Sequence, residues 1–163
     1  MQPDLQAIAQ KIREIARAEI LSRFERVGYE FKADGSVLTE ADLAANQSIT
    51  DYLQAIHPEI PLLSEEMEAE QQEKLLQEAP VFWCLDPLDG TSNFASGIPL
   101  FATSLALFND GQVVLAITYD PVRDELFTAS LGQGAYLNGQ RLHCHKIGFQ
   151  LAHAVALVDF KRL

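Results

Sequence analysis

Apolar residues return every three or four positions from Leu5 through Ile8, Ile12, Ile15 and Ala16 to Ile20, which is one face of an α-helix. Pro3 suits a first turn and Gly28 sets the outer limit, so the pattern predicts a helix between them. Phe31-Lys32-Ala33-Asp34-Gly35-Ser36 then reads as a loop or tight hairpin. Thr39 can cap a second helix, with Asp42 three residues later where a capping box puts Glu or Gln. Ala45, Ile49, Leu53 and Ile56 form its apolar stripe, and Pro58 stops it.

The stretch from Ile60 to Leu63 suits a short strand, and the acidic stretch from Glu65 to Glu78 a helix ending at Pro80. Val81-Phe82-Trp83-Cys84-Leu85 is a continuous apolar run bounded by a turn, the mark of a buried strand. From Phe101 to His145 the pattern becomes one of strands. Asn109-Asp110-Gly111, Asp120-Pro121, Gly132-Gln133-Gly134 and Asn138-Gly139 punctuate it. Ala152 to Val158 suits one more strand or buried element. Helices first and strands later predict an α+β fold, with helices packed on a largely antiparallel sheet. There is no internal repeat, and from the stop at Leu163 an interrupted domain is expected.

Composition narrows the partners. The 163 residues suit one domain, and 48% hydrophobic residues suffice for a core. No apolar run approaches the ~18 residues of a membrane span, and Met1-Gln2-Pro3-Asp4 lacks the character of a signal peptide. Two cysteines, Cys84 and Cys144, make no disulfide framework, which points to a reducing cytoplasm. Twelve Lys and Arg against 23 Asp and Glu give a net charge of −11. That field repels nucleic acid and anionic lipid, so neither a nucleic acid nor a membrane is expected as partner. A small anion remains possible where cations or backbone N–H groups supply local positive potential.

The densest feature is Asp86-Pro87-Leu88-Asp89-Gly90-Thr91-Ser92-Asn93-Phe94, which follows the buried apolar run. Two carboxylates three residues apart across a Pro-fixed turn can converge on one point. Gly90 permits close backbone approach, and Thr91 to Asn93 can open a short helix whose N–H groups face an anion. The plainer alternative is an ordinary turn, since Asp-Pro and Asp-Gly are common turn dipeptides. Leu62-Leu63-Ser64-Glu65-Glu66 puts more carboxylates at a strand end. If that strand lies beside Val81–Leu85, Glu65 and Asp86 share one edge, and hard oxygen ligands suit Mg²⁺ better than Zn²⁺. For Glu66 an exposed acid in a first helical turn is preferred. The third cluster runs Lys32, Asp34, Ser36, Thr39, Asp42, with capping as its plain reading.

Together these clusters resemble a known family. The segment Asp86 to Phe94 is similar to the signature of the inositol monophosphatase family of Mg²⁺-dependent, lithium-sensitive sugar phosphatases. Leu63-Ser64-Glu65-Glu66 resembles its upstream Glu-Glu motif, and Lys32 through Asp42 its Lys…Thr-x-x-Asp segment. Tyr119-Asp120-Pro121 and Gly134-Ala135-Tyr136-Leu137-Asn138-Gly139 look similar too. The resemblance implies the N-terminal layer of the inositol monophosphatase and fructose-1,6-bisphosphatase fold. It implies that Glu65, Asp86 and the Leu88 carbonyl hold one Mg²⁺, and that Asp86 bridges to a second also bound by Asp89. Glu65 and Thr91 would orient the attacking water, with Asp42 accepting from the Thr91 hydroxyl. Asp89, Gly90, Thr91 and Ser92 would face the substrate, a small phosphorylated polyol or sugar such as inositol 1-phosphate. A nucleotide or fructose bisphosphatase is the alternative of the same chemistry, and a catalytically incomplete fragment is the alternative of another kind.

The resemblance also sets an expectation about length. Family members run about 100 residues further and carry there a Trp-Asp-x-Ala-Ala-Gly-like motif whose Asp completes the second metal site. Residues 1–163 are therefore expected to be the N-terminal α+β domain of such an enzyme without its C-terminal portion. As it stands, the chain is expected to be a poor phosphatase that associates with itself as a homodimer or larger species.

Remaining candidates are weaker. His143-Cys144-His145 could place two imidazoles on one strand face, but exposed strand residues are the better reading. His57 before Pro58 suits a helix end, and Cys84 an inert core position. Gly132-x-Gly134 does not open a helix, so it is no dinucleotide fingerprint. The chain has neither a phosphate-binding Gly-x-x-x-x-Gly-Lys-Ser/Thr loop nor a Gly-x-Ser-x-Gly elbow.

Overall fold

The computed structural model describes residues 3–24, 29–31 and 37–143. Lys32, Asp34, Ser36, Cys144, His145 and the expected element at 152–158 lie outside the described residues.

Helix α1 runs Leu5–Glu19, and the Asp4 carboxylate caps it by accepting the N–H groups of Gln6 and Ala7. It ends well before Gly28, because the chain tightens into a 3₁₀ turn at Leu21–Arg23. Arg23 donates to the freed Glu19 carbonyl at 2.7 Å. Strands β1 (Tyr29–Phe31) and β2 (Val37–Thr39) pair antiparallel, the hairpin alternative of the sequence reading. Helix α2 (Glu40–Ile56) starts at the expected capping box: Thr39 accepts from the Ala41 N–H, and Asp42 accepts from the Thr39 N–H at 2.8 Å. His57 closes it, donating its backbone N–H to Leu53.

Strand β3 (Leu62–Ser64) and strand β4 (Val81–Asp89) pair in parallel, with Ser64 opposite Leu85. The acidic helix between them, α3, covers only Ala69–Glu78. Residues 65–68 are not helical. The Glu65 N–H donates to Leu85 O at 3.1 Å, one further rung of the ladder, and Met67 N–H closes a turn on Ser64 O. Strand β4 also runs past the expected end at Leu85, through Pro87. The missing N–H is absorbed as a register irregularity between Asp86 and Asp89 opposite the next strand. Helix α4 (Thr91–Ala95) follows at once.

Strands β5 (Ala102–Asn109), β6 (Gln112–Asp120), β7 (Glu125–Ser130), β8 (Gly134–Leu137) and β9 (Gln140–Arg141) then form an antiparallel meander. The seven strands lie in the order β3-β4-β5-β6-β7-β8-β9. Turn chemistry is as the sequence predicts: Asn138 (φ 48°) and Gly139 (φ 79°) take the left-handed backbone of a tight hairpin.

Helices α1 and α2 cover one sheet face. Ile8, Ile12, Ile49 and Leu53 bury against Trp83, Leu85, Leu105, Leu107, Leu115 and Ile117. A second cluster joins Ile20, Ala41, Ala45, Leu88, Phe94, Phe101 and Tyr119 under the carboxylate-rich turn. Phe94 and Phe101 meet edge to face at 5.1 Å. Burying Leu88 and Phe94 stabilises the turn by about 1.5–3 kcal/mol each. The other face carries Cys84 opposite Ala106, and Ala116 between Ala106 and Ala129. Cys84 is half-buried there rather than in the helix-covered core, because the alternation of β4 gives that core to Trp83 and Leu85. Its thiol is pushed above the usual range by burial and by the Asp86 charge, which keeps it unreactive.

A polar tie fixes the helix layer to the sheet. Arg13 on α1 forks onto both carboxylate oxygens of Asp124, and the Tyr119 hydroxyl donates to Asp124 at 2.7 Å. Asp124 sits between β6 and β7 at φ 56°, a strained position held by these partners. No described helix is long and apolar enough to cross a membrane.

Candidate active site

Three segments deliver the predicted residues to one edge of the sheet. The β3–β4 ladder sets Glu65 beside Leu85 and hence next to Asp86. The bulge after Asp86 turns the Leu88 carbonyl and Asp89 toward α4. The capping box of α2 brings Asp42 to Thr91, 49 residues away in sequence.

The Asp42 side is closed. Asp42 is 2% exposed, and its Oδ2 accepts both the N–H and the hydroxyl of Thr39. Its Oδ1 lies 3.1 Å from the Thr91 hydroxyl. Burial raises its pKa, and the bonds from Thr39 and Thr91 pull against that. The Thr91 hydroxyl also lies 2.9 Å from Leu88 O. It has one proton and two acceptors, so whatever occupies Leu88 O sends that proton to Asp42.

The Asp86 side is open. Asp86 accepts the Leu88 N–H at 3.1 Å but faces Glu65, within hydrogen-bonding reach, and Asp89. Burial first, then the charges of Glu65 and Asp89, push the Asp86 carboxyl up to about 7. Glu65 and Asp89 are exposed, and Asp86 is half-buried. Among the described residues no three His, Cys, Asp or Glu side chains form a ready-made metal cage. The donors instead make overlapping pairs, Glu65 with Asp86 and Asp86 with Asp89, beside a main-chain carbonyl. That all-oxygen set with exposed members fits Mg²⁺, which keeps several waters and takes one or two carboxylates. It also fits electrostatically, since a cation relieves the crowding that Asp86 suffers.

Gly90 (φ 91°) caps α4 with no side-chain bond, and helix geometry leaves the first N–H groups of α4 without intrahelical acceptors. Gly90 was expected to leave room for a ligand. Its missing Cβ makes room for the chain itself: a Cβ there would sit 2.8 Å from Leu100 O. Ser92, also expected to face substrate, is exposed on the first turn of α4.

Glu66, read as a first-turn helical acid, lies in the turn before α3 instead, with its N–H donated to Ser64 Oγ at 3.2 Å. His143 is exposed, and His57 caps α2 beside Glu59. No sequence signal marks the residues that hold the Glu65 turn. Ser64 donates its hydroxyl to Asn46 Oδ1 on α2 at 2.6 Å. Gln72 on α3 donates its amide to Ser64 O and Met67 O, both at 3.0 Å, with Glu65 O at 3.4 Å. A polar residue serving carbonyls across a turn has no sequence signature. Two shallow grooves lie elsewhere: one is lined by Leu76, Pro80, Phe82 and Phe108, the other by Leu5, Gln133 and Tyr136.

A helix layer on a meander sheet, with acidic residues at the end of a buried strand, defines a fold found in solved phosphatase structures. An IMPase from Thermotoga maritima superposes with a TM-score of 0.78 at 29% identity, covering 88% of this chain and 54% of that one. An IMPase/NADP phosphatase solved with Mg²⁺ and phosphate gives 0.69 at 26% identity, covering 83% and 49%. The profile of the Inositol monophosphatase family matches residues 2–161, and the chain belongs to that family. Among curated relatives, Nus factor SuhB of Escherichia coli K12 is 42% identical over 112 residues, 68% of this chain and 40% of the relative. The inositol-1-monophosphatase of Mesorhizobium japonicum is 39% identical over 128 residues, 78% of this chain and 44% of the relative. The chain thus spans less than half the length of the curated relatives it matches.

Proposed function

We propose that this chain carries the metal- and water-handling half of a Mg²⁺-dependent phosphomonoesterase acting on a small phosphorylated polyol or sugar, inositol 1-phosphate first among them. The observation that supports it most is the convergence of Glu65, Asp86 and Asp89 on one strand end, with the Asp86 carboxyl raised to about 7. A divalent cation between these carboxylates would relieve that crowding.

In this reading Glu65, Asp86 and the Leu88 carbonyl would hold one Mg²⁺, and Asp86 and Asp89 would hold a second. Bound there, the cations would supply Lewis acidity toward phosphoryl oxygens and would lower the pKa of a water. Glu65 would accept the attacking water's proton as general base. Thr91, its own proton committed to Asp42, keeps its lone pairs free to orient the water. The first N–H groups of α4, at Thr91 and Ser92, face the phosphate. The protein works in the cytoplasm, and the sheet face opposite the helices, bearing Ala106 and Ala116, favours self-association.

Phosphate release from inositol 1-phosphate, a nucleotide bisphosphate and fructose 1,6-bisphosphate, with and without Mg²⁺, by an enzyme of the relatives' full length that carries this chain, tests the proposal. No Mg²⁺-dependent release from any of them removes it. A second reading follows from the relatives named Nus factor SuhB: a binding role as such a factor, with the site unused. A net charge of −11 disfavours direct contact with a polyanion in that role. A Glu65→Gln protein that lost phosphate release yet kept the cellular role would favour it.

A further inference from the structure

We propose that Gln72 is a positioning residue for Glu65: from α3 it braces the turn that aims Glu65 at Asp86, and so sets divalent-cation affinity from outside the site. The inference rests on the metal reading above and adds a residue to it.

Glu65 is exposed, and its place beside Asp86 is decided by its backbone. Its N–H is held by Leu85 O at 3.1 Å, but β3 ends one residue earlier and the chain reverses at once. The turn carries three carbonyls, those of Ser64, Glu65 and Met67, which point toward α3. Gln72 sits in the first turn of α3, and its single amide group spans all three, at 3.0, 3.4 and 3.0 Å. From the other side, Asn46 on α2 holds the buried Ser64 hydroxyl at 2.6 Å, and that hydroxyl accepts the Glu66 N–H. The turn is therefore clamped between α2 and α3.

Helix α3 buries no residue completely, so the Gln72 bonds are not needed to pack a core. What they fix is a local backbone path. An amide is suited to this: it gives two N–H donors without charge, whereas a carboxylate at the same place would repel the carbonyls and add to the acidity around Asp86. Outer partners of metal ligands typically change affinity 10- to 100-fold when removed.

The test compares Mg²⁺ affinity, by calorimetry, in the unaltered chain, Gln72→Met, Glu65→Gln and the double variant. Amide hydrogen exchange at Glu65, Glu66 and Met67 is followed in parallel. Gln72→Met, similar in size but without donors, is expected to weaken Mg²⁺ binding about tenfold. It should speed exchange at those amides alone, leaving the unfolding midpoint nearly unchanged. In the Glu65→Gln background Gln72→Met should add little. Gln72→Arg, which keeps N–H donors of sufficient reach, should restore slow exchange. Unchanged affinity or unchanged exchange in Gln72→Met overturns the proposal, as does an equal affinity loss with and without Glu65. Faster exchange throughout the chain means a structural role and overturns it too. If the unaltered chain does not bind Mg²⁺, or Glu65→Gln binds it equally well, the metal reading itself fails first.

Discussion

Asp42 and Asp86 stand on opposite sides of the same turn, and the protein treats them in opposite ways. Asp42 lies in the core with the Thr39 N–H, the Thr39 hydroxyl and the Thr91 hydroxyl all directed at it. Asp86 has the Leu88 N–H, and against it two further carboxylates. One carboxylate completes a structure, and the other leaves a deficit of positive charge. Burial raises both pKa values, but only at Asp86 do neighbouring charges add to the rise. Acidity alone therefore does not mark a site here. What marks it is a partly buried acid whose neighbours make matters worse and which a cation would relieve.

The sharpest way to break this contrast is to remove the open side's reactive oxygen. In an enzyme of the relatives' full length that carries this chain, Glu65→Gln is expected to lower phosphate release about 10²–10⁴-fold at saturating Mg²⁺, the range of a general base. The unfolding midpoint should stay near that of the unaltered protein, since Glu65 is exposed. Near-normal turnover would falsify its role with the water.

Exchanging one acid at a time separates the two sides. Asp42→Asn should cost about 1–2 kcal/mol of stability, as charge-assisted bonds to Thr39 become neutral ones and one oxygen becomes a donor. Asp86→Asn should cost no stability in chelator at pH 7.5, because it removes a repelled charge. Its Mg²⁺ affinity should nevertheless fall at least tenfold, as a shared ligand is lost. Denaturant melts and calorimetric titrations of the two variants give the comparison directly. Equal stability losses would mean that the two aspartates are not different in kind.

The smallest expected effect is a slope. In metal-free protein the Asp86 carboxyl titrates at about 7 when folded and near 3.8 when unfolded. Between about pH 4 and pH 7 the folded state keeps a proton that the unfolded state has released. Stability therefore falls as pH rises through that window. The overall charge of −11 tilts the curve the same way, so the contribution of Asp86 is the difference from Asp86→Asn. Saturating Mg²⁺ should abolish that difference. A difference that persists with Mg²⁺ would place the ion elsewhere.

The elements show how far local signals reach. The capping box at Thr39 and Asp42 was legible because three residues suffice to build it, and the turn signals of the meander were legible for the same reason. The acidic helix was expected to begin at Glu65, and it begins at Ala69 instead, because β3 pairs one residue further and the turn is clamped by Gln72. Strand β4 was expected to end at Leu85, but β5 pairs with it as far as Asp89. In both cases a partner distant in sequence overrode a local pattern. Cys84 was misplaced for a related reason: a five-residue apolar run does not say which face of the strand the helices will cover.

The sequence by itself settled the α+β class, the capped second helix, the hairpin turns and the contiguous run from Asp86 to Thr91, since each depends on residues a few positions apart. It gave the meeting of Glu65 with Asp86 only as a condition on strand pairing. Tertiary structure decided the rest: that β3 lies parallel to β4, that Thr91 finds Asp42, that Arg13 clasps Asp124, and that Gln72 holds the Glu65 turn. These contacts join residues brought together by burial of the two apolar clusters. Burial is non-directional, so the pattern that drives it carries no record of which polar groups will meet at its edge.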